Sequence, residues 1–262
     1  MELLGYFFAL LVGISLGLIG GGGSILAMPV LVYIFHFSAQ SATSYSLFIV
    51  GISALIGSAK HYKLNNLNIH TAVVFGLPSV ISLLLVRKFL LPHIPESIFF
   101  IGKFDVTKNI LLMTVFAILM VAASVSMIKP IEKNIAIKIK DTNKLAFAGF
   151  MLGIVTGFLG AGGGFLIIPV LVFFAGLSMK QAIGTSLFVI ALNALTGFAG
   201  DLINNVQVNF YFLLLFSLIS ISGIFIGTFF SKKIDGNKLK PAFGWFILGG
   251  GIYIISKEIF FK

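Results

Sequence analysis

The chain contains no cysteine. That excludes disulfides, thiol nucleophiles, cysteine-ligated metals and iron–sulfur clusters, and leaves the compartment open. Charge is scarce: 10% of residues are Asp, Glu, Lys or Arg, against about 25% in a soluble domain. Carboxylates are scarcer still, with 8 Asp and Glu against 18 Lys and Arg. They are Glu2, Glu96, Asp105, Glu132, Asp141, Asp201, Asp235 and Glu258, all at the ends of apolar runs or between them. With no acid inside a run, neither a carboxylate proton relay nor a cation site built from acids is expected. Catalytic signatures are missing as well. There is no His-Glu-x-x-His and no Gly-x-Ser-x-Gly, so no enzyme is expected. No Gly-Lys-Ser/Thr follows the glycine runs and no Gly-x-Gly-x-x-Gly opens a βαβ unit, which excludes nucleotide-phosphate loops. No cofactor or metal is expected.

Apolar sequence dominates instead. Hydrophobic residues make up 58% of the 262, 29 of them Phe, and mean hydropathy is +1.11. A soluble fold has nowhere to put this much apolar surface, so the chain reads as an integral membrane protein of the cell membrane. Apolar runs cover 3–19, 24–37, 41–59, 69–91, 108–128, 145–160, 164–176, 181–200, 207–230 and 241–258. Their side chains do not alternate, which excludes a β-barrel, and backbone groups in lipid are satisfied within a helix. The first run lacks a basic leader and a small-residue cleavage site, so it is expected to be a retained span. Trp245, between Phe243 and Phe246, reads as an interfacial anchor. The basic excess sits in short loops, which fits membrane orientation and excludes nucleic acid as a partner. His36, His61, His70 and His93 lie near run ends and read as solvated or interfacial. His61 and His70, flanking Lys60 and Lys63, are also placed to sense pH or attract anions.

The chain repeats itself. Residues 13–57 align with 153–197 without a gap, with 19 of 45 positions identical. The core of the repeat is Gly20-Gly21-Gly22-Gly23-Ser24 through Pro29, answered 140 residues on by Gly160-Ala161-Gly162-Gly163-Gly164 through Pro169. The pattern predicts a first membrane repeat at 1–128, a Lys-rich cytoplasmic linker at 129–144 and a second repeat at 145–262. The first repeat carries an extra loop at about 92–107. If each half crosses an odd number of times, 12 Lys fall on the linker's side and 6 Lys and Arg on the other, the bias expected of a cytoplasmic face. The second half is then inverted, both termini are extracytoplasmic and the glycine turns approach from opposite sides. The predicted fold is all-α, polytopic and transmembrane, with two inverted-topology repeats and glycine-broken helical hairpins.

Glycines in an apolar run weaken helix by about 1 kcal/mol each relative to Ala. They leave backbone amides unpaired, and broken helices at matching positions of two repeats point to a transporter site where those amides hold an anion. Gly13-x-x-x-Gly17, Gly153-x-x-x-Gly157 and Gly223-x-x-x-Gly227 have instead the spacing of helix contacts. The next span opens with Ser44-Tyr45-Ser46 in one half and Gly184-Thr185-Ser186 in the other. Asn193 lies seven residues beyond Ser186, on the same helical face, and Ser53 is its partner by alignment. Such groups either donate to an oxyanion or satisfy their own helices. Gln40 and Gln181 are weaker candidates.

The doubled glycine–proline element, with Gly184-Thr185-Ser186-Leu187-Phe188 and Asn193, resembles the TauE/SafE family of sulfite exporter-like membrane transporters over nearly the whole chain. The resemblance implies about eight helices in two related halves, and sulfur-containing anions such as sulfite, thiosulfate, sulfoacetate and other organosulfonates as substrates. The positions it implicates are Gly20, Gly22, Gly23 and Pro29 with Gly160, Gly162, Gly163 and Pro169, together with Thr185, Ser186 and Asn193. Ser44-Tyr45-Ser46 departs from the family's Gly-Thr-Ser. The expectation is a transporter working by alternating access, its anion held between the glycine hairpins. The amides of Gly21 to Ser24 and Ala161 to Phe165 face the ligand, and Ser44, Ser46, Thr185, Ser186 and Asn193 line the site. Lys60 and Lys180 gather anions at the cytoplasmic rim. The expected partners are a small anion and the bilayer, with a homo-oligomer left open. A passive anion channel and a non-transporting scaffold or insertion factor are the alternatives.

Overall fold

Hydrogen-bonded helix is the economical answer to so apolar a chain, and helix is what forms. The structure is a computed structural model that describes residues 2–95, 97–101, 104–128, 142–159, 163–204, 206–231 and 236–260. Gly160, Ala161 and Gly162, most of the linker, Glu96, Glu132, Asp141 and Asp235 lie outside the described residues. Among the described residues there are ten α-helices: α1 (Glu2–Ile19), α2 (Ala27–Tyr33), α3 (Ala39–Lys63), α4 (Ile69–Leu85), α5 (Lys108–Ile128), α6 (Thr142–Leu159), α7 (Gly164–Phe174), α8 (Met179–Ile203), α9 (Phe210–Ser231) and α10 (Gly236–Phe260). The extra loop of the first half holds a small antiparallel hairpin, β1 (Ser97–Ile101) with β2 (Phe104–Thr107).

Among the described residues six helical stretches are long and apolar enough to cross a membrane: Ala39–Lys63, Ile69–His93, Lys108–Val125, Thr142–Leu159, Met179–Ile203 and Phe210–Ser231. Their outward faces carry large apolar side chains, among them Leu55, Leu77, Ile81, Phe147, Leu218 and Phe229, more than an aqueous surface tolerates. Two helices cannot cross alone. α2 has 7 residues and α7 has 11, where a span needs about 20.

Local chemistry sets the boundaries. Ser38 caps α3 by accepting from the Ser41 amide, and Asn68 caps α4 by accepting from Thr71. Ser178 and Gln181 form a capping box at the start of α8. Gln181, a weak candidate for the ligand, thus has a structural task. The glycine run departs from a simple turn: Gly20–Leu26 winds as a 3-10 segment between α1 and α2. Gly20 enters it at φ +66° and Gly163 precedes α7 at φ +60°; both are left-handed, where glycine is at no disadvantage.

The halves are paired reciprocally. α1 runs parallel to α9, Gly13 lying on Ser220 and Gly17 on Gly227 and Thr228. The equivalent α6 runs parallel to α4, Gly149 lying on Phe75, Gly153 on Ser79 and Gly157 on Leu83. A Cβ at Gly13, Gly153, Gly223 or Gly227 would overlap a backbone carbonyl, so the small-residue spacings read from the sequence do mediate helix contact. α3 and α8 pack on each other antiparallel: Ser44 near the start of α3 reaches Asp201 near the end of α8, and Gly184 faces His61 at the opposite ends. α5 and α10 form the remaining pair.

Candidate functional site

The two glycine elements touch. A Cβ at Gly21 would overlap the Gly164 backbone, and one at Gly164 would overlap Gly21 and the end of Ile190. Ile190 is near the middle of α8, so contact occurs halfway along the central helix pair. Gly20 lies against Ile183 of α8, and Gly23 against Ser15 and Leu16 of α1. Only glycine permits backbones this close. The Ser24 hydroxyl is buried and donates to the Gly21 carbonyl at 2.8 Å, bracing the 3-10 segment from within.

The polar residues at the start of α3 and α8 take different tasks. Ser186 donates to the Ile183 carbonyl at 2.9 Å. Thr185 Oγ1 accepts the Asn68 amide, the cap of α4, at 3.0 Å. Its counterpart Tyr45 accepts the Asn209 amide at the start of α9 at 2.7 Å. The departure Ser-Tyr-Ser therefore preserves a helix-docking contact with a longer side chain. Asn193 donates to Ser79 Oγ at 2.7 Å, and its partner by alignment, Ser53, donates to Ser220 at 3.0 Å. Among these polar residues, Ser46 Oγ and Asn193 Oδ1 are buried without a hydrogen-bond partner. Orphaned buried polar atoms are uncommon and mark a place where a ligand or water completes the set.

Ser44 belongs elsewhere, in a cluster that sequence reasoning missed. It donates to Asp201 Oδ2 at 2.5 Å. Arg87 pairs with the same carboxylate through both arms, Nε to Oδ1 at 2.8 Å and Nη2 to Oδ2. Arg87 Nη1 also reaches the Gly157 carbonyl at 3.2 Å. Arg87 is 3% exposed and Asp201 5%. Asp201 is near the end of its span as expected, but protein rather than water surrounds it. The cluster floors a cavity of about 130 Å³, with Gln40, Ser44 and Asn204 completing its polar lining. Arg87 stands in a π-helical turn, Val86–Leu90, that extends α4; such turns re-aim side chains. The signal available in the sequence was Arg87 itself, the chain's sole arginine.

A second buried acid is Glu258 on α10, which accepts from the Tyr33 hydroxyl at 3.0 Å while the Lys257 ammonium lies 4.1 Å from the Tyr33 ring centre. His61 is buried too, and neither ring nitrogen has a hydrogen-bond partner. That corrects its reading as a solvated or interfacial side chain. His36, His70 and His93 are exposed, as expected. Of the rim lysines, Lys180 is exposed, whereas Lys60 reaches the Thr228 hydroxyl and lies 5.2 Å from the Phe225 ring centre. Among the described residues no group of His, Asp and Glu forms a metal site.

A helical bundle of two related halves, interrupted at matching glycine elements and coated with apolar side chains, defines a multi-pass membrane protein of transporter architecture. The chain belongs to the sulfite exporter TauE/SafE family, whose model it matches over residues 6–254. These are membrane transporters and not enzymes. Relatives named as probable membrane transporter proteins include one from Xylella fastidiosa, 28% identical over 95% of this chain and 92% of its own length. One from Haemophilus influenzae is 28% identical over 96% and 95%. Another from Methanocaldococcus jannaschii is 29% identical over 75% and 71%. No solved structure matches the chain.

Proposed function

We propose that the protein carries small sulfur-containing anions, such as sulfite, thiosulfate or organosulfonates, across the cell membrane by alternating access. The observation that carries this is the meeting of Gly21 and Gly164 halfway along α8, each at the end of an interrupted helix. Two broken helices facing one another between related halves form the arrangement in which unpaired amides receive an anion. The site comprises the amides from Gly20 through Ser24 and from Gly160 through Gly164, with Ser46, Thr185, Ser186 and Asn193 on the flanking helices. Thr185 keeps its hydroxyl proton for a ligand, since its oxygen is the acceptor for Asn68.

The repeats are inverted in this reading. The antiparallel packing of α3 on α8 supports it, as does the exchange of partners in which α1 takes α9 and α6 takes α4. Both termini and Arg87 are then extracytoplasmic, and the lysine-rich linker is cytoplasmic.

Uptake of radiolabelled sulfite and thiosulfate into proteoliposomes tests the reading. The expected result is saturable flux that is abolished when Gly22 and Gly162 are both replaced by Leu. Flux unchanged in that variant overturns the site. The tight Gly21–Gly164 contact also suits a non-transporting scaffold, and the same assay decides between them, because a scaffold moves no anion.

A further inference from the structure

We propose that Arg87 is a binding station for a compact monovalent oxyanion, and that Asp201 couples its occupancy to one proton. The inference rests on the anion-carrier reading and adds the coupling ion. Arg87 and Asp201 are the charged groups lining the 130 Å³ cavity. Their pair sits on its floor, while Gln40 and Asn204 are exposed at its mouth, so water and small anions reach it from the surface. A planar guanidinium that pairs with a carboxylate through two N–H groups offers the same fork to a sulfonate.

Charge balance sets the coupling. A buried charge is costly unless compensated. With Asp201 ionised, the pair is neutral and Arg87 is occupied. An anion entering beside it adds an uncompensated negative charge. If a proton from water first adds to an Asp201 carboxylate oxygen, the guanidinium–carboxylate ion pair is lost and the oxyanion takes the carboxylate's place on Nε and Nη2. The station is neutral before and after, and one monoanion has arrived with one proton. The Ser44 hydroxyl, which donates to Asp201 at 2.5 Å, becomes available to the anion in the same step. Among the described residues no other charged side chain lines the cavity to substitute for this exchange. α3 contributes Ser44 and Gln40, α6 the Gly157 carbonyl, and the end of α8 Asn204. Neighbouring Lys88 and His93 are exposed, the first against the Phe89 ring and the second on the Phe89 carbonyl.

The fold does not require the pair. Contacts in the two halves make Ser79 equivalent to Ser220 and Asn68 equivalent to Asn209, an offset one residue greater than that relating α3 to α8. Arg87 then corresponds to Thr228, Asp201 to His61 and Ser44 to Gly184. Gly184 packs directly on His61 and Asn66. The equivalent junction closes without a guanidinium–carboxylate pair at these positions, so the pair in the first junction has a task other than closing it.

The test is calorimetric titration of the purified full-length protein with methanesulfonate, a permanent monoanion, in buffers of different ionisation enthalpy. The expected result is uptake of one proton per anion bound. With one proton taken up per anion, affinity falls by about tenfold per unit rise in pH. Asp201→Asn should bind without proton uptake and independently of pH. The double variant R87Q/D201N removes both charges, should recover most of the stability that R87Q alone loses, and should bind none. No binding by wild type, binding without proton uptake, or undiminished binding by R87Q/D201N overturns the proposal. Sulfite flux through wild-type proteoliposomes accompanied by any of these results overturns the Arg87 station alone and leaves the carrier reading standing. Absence of both flux and binding overturns both.

Discussion

Arg87 compensates the buried carboxylate of Asp201, which it grips through both arms. Removing it alone leaves Asp201 buried and unpaired. Arg87→Gln should therefore lower stability by about 3–5 kcal/mol, seen as a reduced melting temperature in detergent, and adding Asp201→Asn should restore most of it. An equal loss in the single and double variants would mean that packing of the long side chain, not its charge, holds the junction. Tyr45 has a plainer role. Tyr45→Phe removes the acceptor for the Asn209 amide and should cost about 1 kcal/mol, read in the same melting assay. Neither role is visible in the local sequence. The partners of Arg87 and Tyr45 lie 114 and 164 residues away, and nothing near either residue names them.

Helices meet here through glycine, and the cost of a methyl group depends on what faces it. A Cβ at Gly13 falls on the Ser220 carbonyl, whereas one at Gly249 meets nothing within 4 Å. Gly13→Ala should drive α1 away from α9 and depress folded yield and melting temperature. Gly249→Ala should be neutral or stabilising by up to about 1 kcal/mol, from helix propensity alone. Matching losses in the two variants would show that glycine acts through chain flexibility and not through close approach. The same logic makes Gly21 and Gly164 hard to replace, since each occupies the space of the other's missing side chain. α2 and α7, which flank this meeting, have 7 and 11 residues and are too short to cross a bilayer alone.

Orientation belongs to the molecule as a whole, and the absence of cysteine makes it measurable without background. Ser38 and Ser178 cap the equivalent helices α3 and α8, and both are exposed. In an inverted repeat they lie on opposite faces. Ser38→Cys should react with an impermeant maleimide from outside the cell, and Ser178→Cys only after permeabilisation. Labelling of both from one side would reject inversion and the lysine-based orientation with it.

Membrane residence, helical class and internal duplication were all legible in the chain, since each rests on local composition. Apolar runs demand helix whatever surrounds them, and the offset of 140 in the letters returns in the bounds of α1 against α6 and α3 against α8. The doubled glycine element and its neighbours were likewise enough to identify the family. Folding alone settled which groups meet. It brought Gly21 onto Gly164, put Thr185 and Tyr45 to work docking the opposite half, and carried Ser44 away from the glycines to Asp201 and Arg87. Hydropathy and propensity sum over neighbours in sequence. The pairing of a guanidinium with a carboxylate is chosen by the desolvation that long-range packing imposes on both, and that quantity has no value until the helices are in place.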